Sequence, residues 1–201
     1  MIDLRFKLIN MSLNKINLRN WVLLLIIIAA AATRFIFLGH QSVMSNFTPI
    51  GAIALFGGTY FTDKYKAYLA PLLTLLVSDI FVTHAYTGQW TLFYDGFLWV
   101  YASFAFMVFI GSQIKKVNAG TVLLGALASV LVHWLLTDIQ PWLSGTMYSK
   151  GIIGYFESLT AAIPFERNLL LGNLVYGALL YGGFEFAQAR FAVLKRQTVS
   201  V

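Results

Sequence analysis

The stretch SNFTPIGAIALFGGTYF, Ser45–Phe61, decides how this sequence folds. Its uninterrupted apolar part, Pro49–Phe61, has 13 residues, and Asn46 and Thr48 precede it. At about 1.5 Å per residue, this part forms a helix of about 20 Å, whereas the hydrocarbon core of a bilayer is about 30 Å thick. The stretch is apolar enough for a membrane but short for a full crossing. We therefore predict a helix that begins below the membrane surface.

The composition of the whole chain is that of an integral membrane protein. Of the 201 residues, 59% are hydrophobic and 11% are charged, and the mean hydropathy is +0.74. A soluble domain carries about 25% charged residues. No polar stretch is long enough for a separate soluble domain, so we expect one membrane domain, 21–189, between tails at 1–20 and 190–201. The absence of cysteine excludes disulfides, thiolate catalysis and cysteine metal sites.

Apolar runs predict an all-α integral membrane fold with six transmembrane helices. The predicted spans are Trp21–Leu38, Pro49–Phe61, Ala67–Val82, Leu92–Ile114, Gly120–Thr137 and Leu169–Ala189. A seventh run, Gly151–Pro164, is short and contains Glu157, which favours an interfacial or re-entrant helix. The first run resembles a signal peptide around Ala29–Thr33. Its apolar core of 18 residues is longer than the usual core of about 7–15, so we interpret it as a span.

The basic residues indicate membrane orientation rather than nucleic-acid binding. With the amino terminus inside, 11 of the 14 lysine and arginine residues lie in cytoplasmic segments, and only Arg34, Lys150 and Arg167 lie toward the outside. Positive charge concentrates on the cytoplasmic side of membrane proteins. We therefore predict a multi-pass protein of the bacterial cytoplasmic (inner) membrane with both termini in the cytoplasm. Its partner is then the lipid bilayer and not a nucleic acid.

Ionisable and amide side chains gather in the predicted outer half. This group comprises Arg34, His40, Asn46, Asp79, His84, Gln89, Asp95, His133, Asp138, Gln140, Glu157, Glu166, Arg167 and Asn168. Such groups are costly at membrane depth and usually face a bundle interior or a wet cavity. The clustering therefore predicts a polar cavity that is open to the outside.

Nine residues are candidates for contact with a substrate in this cavity. They are Arg34, Asn46, Thr48, Asp79, His84, Trp142, Tyr148, Arg167 and Asn168. Several also have a structural alternative: Arg34 can reach the headgroups or pair with Asp79, and His84 can be a solvated loop residue.

Two proline-containing segments predict helix starts beside the cavity. Thr48 is a suitable N-cap and Pro49 a suitable first helical residue, and Pro164 predicts a similar start for the last span. The free N–H groups of the first of these starts would point into the cavity and favour an acceptor-rich ligand. Ala54 and Gly58, and likewise Ala178 and Gly182, are four residues apart and predict close helix packing.

Motifs for catalysis or for energy coupling are absent from the sequence. It contains no GxxxxGK[ST], GxGxxG or HExxH pattern, and Ser144 lacks the elbow that a serine hydrolase needs. No inverted repeat is visible, which argues against a classical secondary transporter. We therefore expect no catalytic residues and a protein that is not an enzyme.

The segments NFTPIGAIALFGGTYF, LAPLLTLLVSDIFV, WLSGTMY and PFERNLLLGNLVYGALL resemble an uncharacterised bacterial membrane family. That family is regarded as related to the substrate-binding S components of energy-coupling factor (ECF) transporters. The resemblance extends from about Thr33 to Gly182. It implies a six-helix, S-component-like bundle that captures a vitamin or a metal ion from outside and works with a transmembrane coupling protein and two ATPases. Small residues of the first helix contact the coupling protein in such proteins, a role that the resemblance gives to Ala29–Ala32.

The chain is also similar to the solitary S components that take up cobalamin. In that branch a cysteine after the third span can coordinate cobalt, whereas the third span here ends at His84. Imidazole is a natural cobalt ligand. The resemblance thus implies vitamin uptake, with cobalamin as the transported ligand, His84 as its metal ligand and no cofactor of the protein's own. The first alternative is a polytopic scaffold of the cell envelope. The second, which the sequence favours less, is a membrane enzyme acting on lipid or isoprenoid.

Overall fold

The structure, a computed structural model, describes residues 18–37 and 44–195. Within these ranges the regular elements are all helical, as the sequence predicts. In chain order they are α1 (Leu18–Ile36), α2 (Ile50–Tyr60), α3 (Lys64–Thr87), α4 (Phe97–Gln113), α5 (Ala119–Thr137), α6 (Ile139–Ser144) and α7 (Ile152–Arg190). The last turn of α1 is a 3-10 helix, and a second 3-10 turn, Ala192–Leu194, follows α7. His40 and the predicted tail residues 1–17 and 196–201 lie outside the described residues.

Within the described residues, four helical segments are long and apolar enough to cross a membrane: α1, α3, α5 continued by α6, and α7. Helices α2 and α4 are apolar but shorter, with 11 and 17 residues. The long segments indicate a membrane protein, which agrees with the predicted class. Six crossings with both termini in the cytoplasm stay a prediction.

Helix α2 lies in the interior of the bundle, which explains how a helix can be so short. Ten of its 11 residues are buried, and it packs against α3, α4, α5 and α7. A helix at membrane depth must satisfy its backbone internally, but it needs the full bilayer length only when lipid surrounds it. Because α2 is enclosed by protein, its ends are free to lie below the surfaces of the bundle.

Glycine contacts bring the backbones of α2 and α4 together. A Cβ atom on Gly58 would lie 2.1 Å from the carbonyl oxygen of Val108, and one on Gly111 would lie 2.2 Å from that of Leu55. Such contacts require the absence of a side chain. The predicted seam at Ala54 and Gly58 is therefore present, with Gly58 making the closest approach.

The second predicted seam, Ala178 and Gly182, makes no comparable contact among the described residues. Both residues line an apolar groove of about 390 Å³ between α5 and α7. Apart from its chain neighbours and the adjacent backbone of α7, no atom of the described residues lies within 4 Å of a Cβ placed on Gly182. The spacing of two small residues does not by itself specify a neighbouring helix.

The predicted start of the fourth span at Leu92 is wrong. Helix α4 begins at Phe97, and the segment from 88 to 96 is not helical. Gly96 has a φ of +84°, a left-handed conformation that glycine adopts readily and that interrupts a right-handed helix. The apolar run from Leu92 onward is therefore partly a loop.

The predicted separation of Gly151–Pro164 from the last span is also wrong. Helix α7 is continuous over 39 residues and contains Pro164. A proline removes one helical N–H donor and crowds the carbonyl four residues earlier. Here the indole Nε1 of Trp134 donates to the carbonyl oxygen of Leu159 at 2.8 Å, next to this weakened turn. This hydrogen bond ties the turn before Pro164 to α5.

Arg19 joins three helix ends at one end of the bundle. This buried guanidinium donates from Nη2 to the carbonyl oxygen of Tyr60 at 2.7 Å and from Nε to that of Leu194 at 3.0 Å. The start of α1, the end of α2 and the segment after α7 therefore meet. We name this the basic end, because the residues at or beside it include Arg19, Lys64, Lys66, Lys115, Lys116, Arg190 and Lys195. The opposite end, where α1 and α3 finish and α2 and α4 start, is the polar end.

Candidate functional site

A cavity of about 320 Å³ lies at the polar end. We refer to it as the polar cavity, because nine of its wall residues carry polar side chains: Arg34, Asn46, Thr48, Asp79, Tyr94, His133, Thr137, Asp138 and Glu166. Apolar side chains, among them Phe104 and Phe165, complete the wall. The structure thus brings together four of the nine residues predicted to contact a substrate, namely Arg34, Asn46, Thr48 and Asp79.

Arg34 and Asp79 form an ion pair in the cavity wall. Nη1 of Arg34 lies 2.6 Å from Oδ1 of Asp79, and the side chains are 19% and 5% exposed. The same nitrogen donates to Oγ of Ser78 at 2.6 Å. The pairing alternative considered from the sequence is therefore the one that the structure contains.

Two tyrosines complete the environment of Asp79. The hydroxyl groups of Tyr94 and Tyr101 donate to Oδ2 of Asp79 at 3.1 and 3.4 Å. Burial raises the pKa of Tyr94, and the Asp79 carboxylate raises it further, so this phenol stays protonated and remains a donor. The sequence did not single out these tyrosines. The only signal for them is the general need of a buried carboxylate for hydrogen-bond donors.

A second pair, His133 and Glu166, joins α5 to α7 across the cavity. Nδ1 of His133 lies 2.8 Å from Oε1 of Glu166, and the two residues are 8% and 6% exposed. The imidazole ring also packs edge-on against Phe104. His133 is thus a buried, hydrogen-bonded histidine whose partner comes from another helix.

Asp138 lies where α5 ends and α6 begins. Its Oδ1 accepts a hydrogen bond from Oγ of Ser158 at 3.0 Å, which ties this corner to α7. Asp138 is 7% exposed and lines the polar cavity. The cavity wall therefore carries three carboxylates, one guanidinium and one histidine.

The entry to α2 forms another part of the wall. Asn46 has a φ of +68°, a conformation that asparagine tolerates better than most residues. Helix α2 begins at Ile50, and Pro49 instead of Thr48 occupies the capping position. Oγ1 of Thr48 accepts only a long hydrogen bond of 3.5 Å from the N–H of Ile50. The predicted cap is therefore displaced by one residue, although the start of α2 does lie beside the cavity.

The structure places the other five candidates outside the polar cavity. The imidazole of His84 stacks on the indole of Trp90, with ring centroids 3.9 Å apart and an angle of 8°. Nε1 of Trp142 donates to the carbonyl oxygen of Gly151, and Nδ2 of Asn168 donates to that of Ser45. Tyr148 lies between α6 and α7, and Arg167 is exposed on α7.

A metal centre is not formed by the residues in 18–37 and 44–195. No three His, Asp or Glu side chains in these ranges are grouped closely enough to hold an ion. The prediction that His84 ligates cobalt therefore rests on this one imidazole.

The comparison with protein families identifies the chain. Residues 14–195 match the family described as "Family of unknown function (DUF6580)". The chain belongs to this family. The part matched to DUF6580 includes every wall residue of the polar cavity. Neither the curated proteins nor the solved structures contain a match to this DUF6580 protein.

Proposed function

We propose that this protein is the membrane-embedded component of an uptake system and captures a small vitamin-class solute in the polar cavity. The observation that carries the proposal is the convergence of Arg34, Asp79, His133, Asp138 and Glu166 on one cavity. Buried ionisable groups are costly in a membrane protein and usually mark a substrate or ion pathway. The volume of about 320 Å³ lies at the lower end of the range for small-molecule sites, roughly 300–1,000 Å³.

The size of the cavity favours a solute of one or two rings. Cobalamin is the ligand suggested by the resemblance, but a corrinoid with its nucleotide loop is much larger than about 320 Å³. His84, the proposed cobalt ligand, stacks on Trp90 and does not line the cavity. A compact vitamin therefore fits this cavity better than cobalamin does.

We propose that an ECF coupling protein contacts the face of α1 that includes Ala29–Ala32. Ala29 and Ala32 are exposed. Ala32 lines a shallow apolar groove between α1 and α3 together with Ile28, Leu73 and Val77. Small residues allow a partner helix to approach closely, which supports this assignment.

The proposed inward orientation of the basic end is testable because the chain contains no cysteine. Gln89→Cys lies beyond the end of α3 at the polar end, and Lys116→Cys lies between α4 and α5 at the basic end; both positions are exposed. On intact cells, a membrane-impermeant maleimide is expected to label Gln89→Cys, and to label Lys116→Cys only after permeabilisation. The reverse pattern would contradict the orientation, and labelling of both on intact cells would contradict the crossing.

Capture of a solute is tested by calorimetric titration of the detergent-purified protein with a vitamin panel that includes cobalamin. We expect saturable one-to-one binding of at least one compact vitamin. Ala162 lines the cavity, whereas its neighbour Ala161 is exposed and does not. Ala162→Phe is therefore expected to weaken binding at least tenfold, and the matched Ala161→Phe variant to leave it unchanged.

The other outcomes separate the alternatives. Cobalamin binding with an absorbance shift that disappears in His84→Ala would support cobalt ligation and contradict the preference for a compact vitamin. If no compound binds and native mass spectrometry finds no co-purified small molecule, capture is refuted in favour of the scaffold. Conversion of a bound compound would indicate an enzyme instead.

A further inference from the structure

The two pairs in the polar cavity, Arg34–Asp79 and His133–Glu166, differ in whether both carboxylate oxygens have a partner. Both oxygens of Asp79 have partners, since Oδ1 contacts Arg34 and Oδ2 accepts from Tyr94 and Tyr101. In the other pair, Oε1 of Glu166 contacts His133, but Oε2 is buried and has no hydrogen-bond partner among the residues that the structure describes. Glu166 therefore keeps one acceptor free.

This free acceptor belongs to a residue of the cavity wall. Glu166 is 6% exposed and lines the polar cavity. A buried carboxylate oxygen without a donor is costly, and native proteins rarely keep one unless water, an ion or a ligand supplies the donor. Oε2 of Glu166 is thus an acceptor that a donor group entering this part of the cavity would satisfy.

The charges of the wall define that group further. Three carboxylates line the cavity, those of Asp79, Asp138 and Glu166. The basic side chains of the wall are Arg34 and His133. Arg34 is occupied by Asp79. Even with His133 protonated and paired with Glu166, the wall keeps the negative charge of Asp138 without a cationic partner among the lining residues. An anionic ligand would meet these carboxylates in a low-dielectric space, where like charges repel strongly.

We infer that the solute captured in the polar cavity carries a protonated amine, which donates to Oε2 of Glu166 and to the carboxylate of Asp138. Hydrogen bonds between an ammonium and a carboxylate are among the stronger polar contacts in proteins. Phe104 and Phe165 offer apolar surface for the body of the ligand. The ligand class is therefore a compact ring compound with an aminoalkyl group. This inference rests on the proposed function, because it names the chemistry of the solute that the same cavity captures.

The test compares amines with neutral partners of the same shape. Calorimetric titrations of the purified full-length protein use pyridoxamine against pyridoxine, tryptamine against tryptophol, and benzylamine against benzyl alcohol. In each pair the ammonium is replaced by a hydroxyl group. We expect at least one amine to bind at least tenfold more tightly than its alcohol at pH 7.

The variants assign the preference to the named carboxylates. Glu166→Gln keeps an acceptor for His133 and removes the charge, and Asp138→Asn keeps an acceptor for Ser158. Each is expected to reduce the amine preference at least fivefold. If one variant does not fold, the other still tests the inference. Glu157→Gln, on the exposed face of α7, is the matched control and should retain the full preference.

The outcomes that overturn the inference differ from those that overturn capture itself. Equal binding of amines and alcohols, a preference that persists in both variants, or binding only of neutral or acidic vitamins from the larger panel would refute the amine while leaving capture intact. Absence of binding by every amine would also refute it. Absence of any bound or co-purified small molecule would refute capture and the amine together.

Discussion

Gly58→Ala is expected to lower the free energy of unfolding by about 3 kcal/mol, the upper part of the range for overpacked sites. The new Cβ atom would lie 2.1 Å from the carbonyl oxygen of Val108 and 2.9 Å from the amide nitrogen of Ser112. Both are backbone atoms, so no side chain can rotate away. Helix α2 would have to move off α4, although α2 is enclosed on its other faces by α3, α5 and α7.

The same substitution at Gly182 is the matched control. No atom of the described residues beyond its chain neighbours and the adjacent backbone of α7 lies within 4 Å of its Cβ position. Since alanine favours a helix interior by about 1 kcal/mol over glycine, Gly182→Ala should be neutral or slightly stabilising. Reversible unfolding in mixed micelles, followed by circular dichroism, measures both variants. A Gly58→Ala protein as stable as Gly182→Ala would show that α2 and α4 are not in backbone contact.

Asp79→Ala is also expected to lower the free energy of unfolding by about 3 kcal/mol, because it leaves a largely buried arginine without its counter-ion. Arg34 would lose a contact of 2.6 Å, and the hydroxyl groups of Tyr94 and Tyr101 would lose their acceptor. Asp95→Ala, at an exposed position in the loop before α4, should change the stability by less than about 0.5 kcal/mol.

A double-mutant cycle distinguishes the ion pair from a general effect of the site. Arg34→Met combined with Asp79→Leu removes both charges and keeps apolar volume, so it should recover most of the stability that Asp79→Ala loses. The single variants of this cycle are Arg34→Met and Asp79→Leu. If the double variant loses as much stability as these two lose together, the two residues are not energetically coupled. Equal stability of Asp79→Ala and Asp95→Ala would contradict the ion pair directly.

The candidate site was predictable only in part. Ionisable residues in apolar runs, such as Arg34 and Asp79, can be recognised from the sequence. A charged group at membrane depth is costly unless it has a partner or faces a cavity. The loop and interface candidates His84, Trp142 and Tyr148 have no such constraint, and the structure places them outside the polar cavity. Glu166 illustrates the opposite error. It precedes the predicted last span, Leu169–Ala189, and is not among the nine predicted contacts, whereas α7 continues through Pro164 and Glu166 and places Glu166 in the cavity wall.

The sequence by itself determined the membrane class, the helical fold and the approximate positions of α1, α2, α3 and α5. These follow from hydropathy and from local rules of helix formation, which depend on residues close together in the chain. It also determined that α2 is short, since 13 apolar residues bounded by Thr48 and Thr62 allow no more.

Only the tertiary structure decided which polar side chains share one cavity. His133 and Glu166 are 33 residues apart, and Arg34 and Asp79 are 45 apart, so each pairing depends on how the helices are rotated and packed. Helical periodicity shows which residues share a face, but it does not show which neighbouring helix that face meets. The register of α2 against α4 is likewise a tertiary feature, since it is the register that brings Gly58 to Val108 and Gly111 to Leu55.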